Sequence, residues 1–218
     1  MNLLSLLSFF TAIVFAFIVG YSLYADRKSS LNRLSACIHA GFAIWSFALV
    51  FYYPAATVEE AWFWNKLSSI GWILFAAFSL HYFIIQTGRN HLIAKGWQKA
   101  LLYVPPLILL VRSLFWPGTV VAGEMVQSRR GFGWTYTGNI ASIWWWIFLC
   151  YLFVYLLTAF YMLATWAHRV LDRKEEKAIR RILYLDFLVL LVSQTTDIIL
   201  PVFGTWLPPM ANLIVLLY

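Results

Sequence analysis

Asp186 and Asp197 fall eleven positions apart inside the apolar run Ile182–Phe203. On a helix that spacing is about three turns, so both carboxylates share one face, roughly 16 Å apart along the axis. A charge at bilayer depth is expensive and needs a partner, a wet cavity or a function. The chemistry open to such a pair is ion pairing, proton relay or the anchoring of a ligand.

The two sites read differently. Asp197 belongs to the polar stretch Ser193-Gln194-Thr-Thr-Asp197, in the outer third of its span. Lys66, in Asn65-Lys66-Leu-Ser-Ser69, lies at matching depth in the third span, so depth and sign permit a Lys66–Asp197 ion pair. A structural pair and a ligand anchor or switch built from Lys66, Asp197, Gln194 and Asn65 are equally open. Lys66 is also near enough to the interface to snorkel with no partner, as is Arg112. Asp186 lies one turn from the inner edge, just after Arg180 and Arg181, and reads as an ion-pair partner of those arginines or of fifth-helix bases rather than a proton relay. His39 and His81 read as hydrogen-bonded packing residues, because neither has a second ligand at i+3 or i+4. No nucleophile elbow, H-E-x-x-H pair or glycine-rich phosphate loop is present, so no catalytic residue, metal or cofactor is assigned.

The elements that must position these residues follow from composition. The chain is 62% hydrophobic and 11% charged, where soluble domains carry about 25% charge. Its mean hydropathy is +0.76. This is an integral membrane protein, all-α by expectation. Apolar runs of spanning length cover Leu3–Leu23, Leu34–Tyr53, Ala61–Gln86, Ala100–Phe115, Ile140–Ala167 and Ile182–Phe203. A seventh run, Leu207–Tyr218, opens on Pro208 and Pro209, which suit a helix start, and reaches about half a crossing. The expected architecture is a seven-helix bundle with its last helix truncated, a piece of something longer. The first run has no basic n-region or cleavage pattern and is expected to be retained. Cys37 and Cys150 read as buried reduced thiols.

Twelve of the sixteen basic residues follow the first, third and fifth spans; the others are Lys66, Arg112, Arg129 and Arg130. The positive-inside rule makes those three loops cytoplasmic, so the N-terminus faces out and a completed seventh span ends inside a plasma membrane. The net charge of +7 is therefore a topology signal, with some affinity for anionic lipid, and not a sign of nucleic acid. Trp62, Trp64, Trp116, Trp144–Trp146 and Trp206 fall at predicted outer ends, as an aromatic belt would. Between the fourth and fifth spans, Pro117–Asn139 is too long for a turn. Val120–Val126 and Phe132–Thr137 read as strands around Gln127–Gly131, an extracellular hairpin capping the bundle; an unstructured linker is the alternative.

The third span, Glu60-Ala-Trp-Phe-Trp-Asn-Lys-Leu-Ser-Ser-Ile-Gly-Trp72, runs on to Leu80-His-Tyr-Phe83 and Thr87-Gly88. Together with Gly133-Trp-Thr-Tyr136, Asp197-Ile-Ile-Leu-Pro-Val-Phe-Gly204 and Leu207-Pro-Pro-Met-Ala-Asn212, it resembles the N-terminal seven-transmembrane sensor region of bacterial histidine kinases and related diguanylate cyclases. The resemblance covers essentially the whole chain. It implies a receptor module whose last helix continues into a cytoplasmic PAS, kinase or cyclase domain, with output activity outside these residues. The partners expected are membrane lipids, an unidentified small ligand, that C-terminal signalling domain and a homodimer mate. A small-solute transporter or channel is the competing class; it would want inverted repeats or broken helices, and Pro105-Pro106 is the one candidate break. A retinal photoreceptor would need a seventh-helix lysine, and the visible part has none.

Overall fold

The computed structural model describes residues 2–128, 131–170, 173–203 and 210–215, without the side chains of Glu175, Ala178, Ile182, Asp186 and Val215. Among the described residues, six helical segments are long and apolar enough to cross a membrane. They are α1 (Leu3–Asp26), α2 (Ser30–Tyr52), α3 (Val58–Gln86), α4 (Gly96–Phe115), α5 (Ile143–Ala167) and the stretch Ile179–Val202. That stretch runs through α6 (Arg173–Gln194), a π-turn (Thr195–Ile199) and one further turn, α7 (Leu200–Val202). A short α8 (Ala211–Val215) follows. The seventh run is thus seen only in its first helical turns, and Trp206 lies outside the described residues.

Local chemistry sets the helix starts. The side chains of Asn2, Ser29, Thr57 and Ser142 each accept an amide from the first turn of α1, α2, α3 and α5. At α3 the Glu60 side chain also reaches back, its Oε2 accepting the amide of Ala56, the residue before the cap, at 2.8 Å. Pro105 and Pro106 lie inside α4, which continues unbroken around them. The break they suggested is not made.

Helices α2 and α3 approach so closely that a Cβ on Gly71 would fall within van der Waals contact of the Gly41 carbonyl oxygen. Only glycine permits that crossing. Strands β1 (Ala122–Gln127) and β2 (Trp134–Gly138) form an antiparallel hairpin, pairing Met125 with Tyr136 and Gln127 with Trp134. The first strand begins two residues later than its apolar run. Val120 and Val121 are buried and their amides are held instead by Ser113 and Thr119 hydroxyls. The hairpin is no loose linker. Val120, Val121, Ala122 and Tyr136 share one core cluster with Ile73, Leu109, Phe148 and Ile198. Trp134 Nε1 donates to Ala55 O at 2.7 Å, and Asn2 Nδ2 donates to Phe132 O at 2.9 Å.

The cysteines correct the expectation of burial: Cys37 and Cys150 are free thiols on the outward surface of the bundle. An apolar helix in a bilayer buries only one stripe against its neighbours, so an apolar run does not mark the core side. The tryptophan belt is likewise divided, since Trp145 is 7% exposed and packs in the core while Trp116 and Trp146 face outward.

Candidate functional site

At the hairpin end of the bundle, the helix carrying Asp197 departs from regular geometry. The Leu200 amide donates to the Thr195 carbonyl, five residues back, so the turn is one residue wider than an α-turn. Pro201, four residues after Asp197, has no N–H to give the Asp197 carbonyl. The Tyr136 hydroxyl donates to it instead, at 2.8 Å. Burial, then the nearby Asp197 carboxylate and the Tyr52 and Tyr53 phenols, hold the Tyr136 phenol well above its ordinary pKa, so it remains a donor.

The carboxylate has a second task. Asp197 Oδ1 accepts the Met210 amide at 2.9 Å, the Ala211 amide at 3.1 Å and the Thr196 hydroxyl at 2.7 Å. It thereby holds the opening of α8, whose first amides have no helical acceptor of their own. Asn212 fastens the same segment to α1 through Nδ2 donating to Ser8 Oγ at 3.1 Å. Among the described residues, no hydrogen bond or ion pair reaches the other carboxylate oxygen, Oδ2.

Asp197 also lines a cavity of about 520 Å³ that runs between the helices. Its walls are largely aromatic and aliphatic, including Phe42, Trp45, Trp72, Phe75 and Phe148; Asn65, Ser68, Thr119, Tyr136, Ser193 and Gln194 supply polar groups toward the hairpin. Among the described residues, three buried polar atoms on this lining have no hydrogen-bond partner: Asn65 Oδ1, Ser193 Oγ and Gln194 Oε1. Native interiors seldom leave such groups unpaired. Asn65 and Ser193 are 5% and 4% exposed, so surface water does not explain them.

The sequence-derived candidates separate at this point. Asn65, Gln194 and Asp197 meet on one cavity; Lys66 does not line it. Lys66 Nζ donates to the Trp116 carbonyl at 2.7 Å, so the Lys66–Asp197 ion pair is not formed. The reason is geometric: Lys66 follows Asn65 by one residue, about 100° around α3, and is turned toward the end of α4. Arg112 behaves similarly, donating to Pro117 O at 3.3 Å. At the opposite end Arg180 pairs with Glu176 at 2.9 Å, one turn back, and reaches His168 Nδ1 at 3.2 Å. Arg181 is exposed, and the Asp186 side chain lies outside the described residues. His39 Nδ1 is 2.7 Å from Ser35 O, and His81 Nδ1 is 2.5 Å from Tyr103 Oη. Both are hydrogen-bonded within the bundle, although His39 also borders the cavity. Among the described residues no group of three or more His, Cys, Asp or Glu is placed to hold a metal.

Ser193, Tyr136, Trp45 and Trp72 were not among the candidates. Ser193 stands in the same polar stretch as Gln194 and Asp197 and was open to recognition there. Tyr136 was not, because only the hairpin's register and the proline at 201 bring it to Asp197.

The family model for the N-terminal seven-transmembrane region of histidine kinases matches residues 7–217. The chain belongs to this family. No curated protein and no solved structure matches it. As a histidine-kinase sensor region it is a membrane protein and a sensor module rather than a catalytic one. The chain thus combines a cavity between its helices with a hairpin packed at one end and an α8 whose opening amides are held by Asp197 on the cavity wall.

Proposed function

We propose that this sensor region receives its signal in the cavity beside Asp197 and passes it along the last helix to a cytoplasmic kinase or cyclase domain. The observation that carries this reading is the double role of one carboxylate. Asp197 lines the cavity, and the same side chain holds the amides that open α8. A ligand that contacts Asp197 differently in two arrangements of α8 shifts the population between them. Coupling of about 1–3 kcal/mol, a factor of about 5–150, is usual for such linkage. In this reading the bundle crosses a plasma membrane seven times, with the hairpin outside and the basic loops on the cytoplasmic leaflet, where anionic lipid holds them. The output domains of two copies pair.

The test uses the full-length protein in lipid nanodiscs, with autophosphorylation or cyclisation as readout. Asp197→Asn keeps an acceptor for the two amides but removes the charge. It is expected to change basal output by about fivefold or more while the bundle stays folded. Lys66→Gln, away from the cavity, is expected to leave output unchanged. Unaltered output in folded Asp197→Asn would overturn the role of Asp197.

A further inference from the structure

We infer that the hairpin end of the cavity binds an organic ammonium, a protonated amine carried on an apolar body. The inference rests on the cavity being the input site and names the chemistry of what enters it. Asp197 is 9% exposed, and among the described residues no lysine, arginine or histidine pairs with it. The two cations nearest in sequence register, Lys66 and Arg112, are held by backbone carbonyls at the end of α4. A buried carboxylate without a counter-ion is costly, and a ligand cation would remove that cost. Among the described residues no donor reaches its Oδ2, while Oδ1 already accepts three. A ligand N–H is what the free oxygen lacks.

The surroundings fit the same class. Asn65 and Gln194 each offer an acceptor or a donor according to how the terminal amide is turned. Their unsatisfied oxygens, with Ser193 Oγ, can take the remaining N–H groups of a primary ammonium. Trp45, Trp72, Phe75 and Phe148 supply ring faces along the same cavity. Such faces attract a desolvated cation and also bury an apolar body. An anionic ligand would meet the Asp197 charge with no lysine or arginine on the described lining to offset it; His39 is the one imidazole there.

The experiment compares three probes of one shape on the purified protein in nanodiscs: 2-phenylethylammonium, 2-phenylethanol and 3-phenylpropanoate. Saturable thermal stabilisation and saturation-transfer NMR report binding. The ammonium is expected to bind about tenfold or more tightly than the alcohol, as a charge-assisted hydrogen bond predicts, and the carboxylate not at all. In Asp197→Asn that preference is expected to disappear while alcohol binding persists; Lys66→Gln should retain it. Equal binding of ammonium and alcohol to the unmodified protein would overturn the ammonium assignment and leave the cavity as input site. Failure of every probe to bind saturably would overturn both. The comparison on the unmodified protein decides the matter even where the variant does not fold.

Discussion

The carbonyl and the carboxylate of Asp197 are held by different parts of the chain, the first by Tyr136 of the hairpin and the second holding Met210 and Ala211. Removing either contact should therefore have its own signature. Asp197→Ala strips the acceptor from two amides at once and is expected to cost about 1–3 kcal/mol. Hydrogen exchange should show the loss first at Ala211 and its neighbours in α8. Tyr136→Phe deletes one donor and should cost about 1 kcal/mol, loosening the hairpin rather than α8. It also bears on pH. An unfolded phenol ionises near its ordinary value of about 10, while burial holds the folded Tyr136 higher. The folded state then keeps a proton that the unfolded state loses. Stability is full below about pH 10 and falls as pH rises beyond it. Thermal melts across that range should fall less steeply in Tyr136→Phe; an identical slope would show that Tyr136 contributes nothing to it.

At the scale of elements, glycine placement decides how closely the helices and hairpin meet. A methyl on Gly71 would strike the Gly41 backbone, and neither chain has a flexible group there to yield. Gly71→Ala is expected to destabilise the α2–α3 pair by about 1–3 kcal/mol or more. Gly20, with open space around its Cα, should accept alanine without loss. Melting temperatures of the two variants in the same lipid provide the comparison. The hairpin has the same dependence: Gly133 has φ +98° and lies against the Tyr53 backbone, while Gly138 abuts Val202. These contacts seat the hairpin on α2 at one side and α7 at the other, over the cavity.

The whole molecule has two unlike ends, the hairpin at one and the basic loops at the other. The proposed orientation, with the hairpin outside and the basic loops inside, is one that surface labelling can check in cells. In a background without Cys37 and Cys150, a cysteine at the exposed Gln127 should react with a membrane-impermeant maleimide. One at the exposed Lys177 should react only after permeabilisation. The reverse pattern would invert the bundle and put the cavity's hairpin end on the cytoplasmic side.

How much of this was legible in the residues depends on the range of the interaction concerned. Hydropathy, cap residues and the placement of lysine and arginine are local properties, so the membrane class, six apolar helices and a strand-forming segment could be read directly. Asn65, Gln194 and Asp197 could be picked out because a polar side chain in an apolar run is conspicuous wherever it ends up. Their meeting could not. Whether Lys66 or the start of α8 would claim the Asp197 carboxylate turned on a rotation of about 100° and on a π-turn beside Pro201. The sequence by itself determined which groups had to be compensated inside a bilayer. Only the tertiary structure decided which partners they found, because those partners come from helices and a hairpin far apart in the chain, and angstrom-scale packing selects among them.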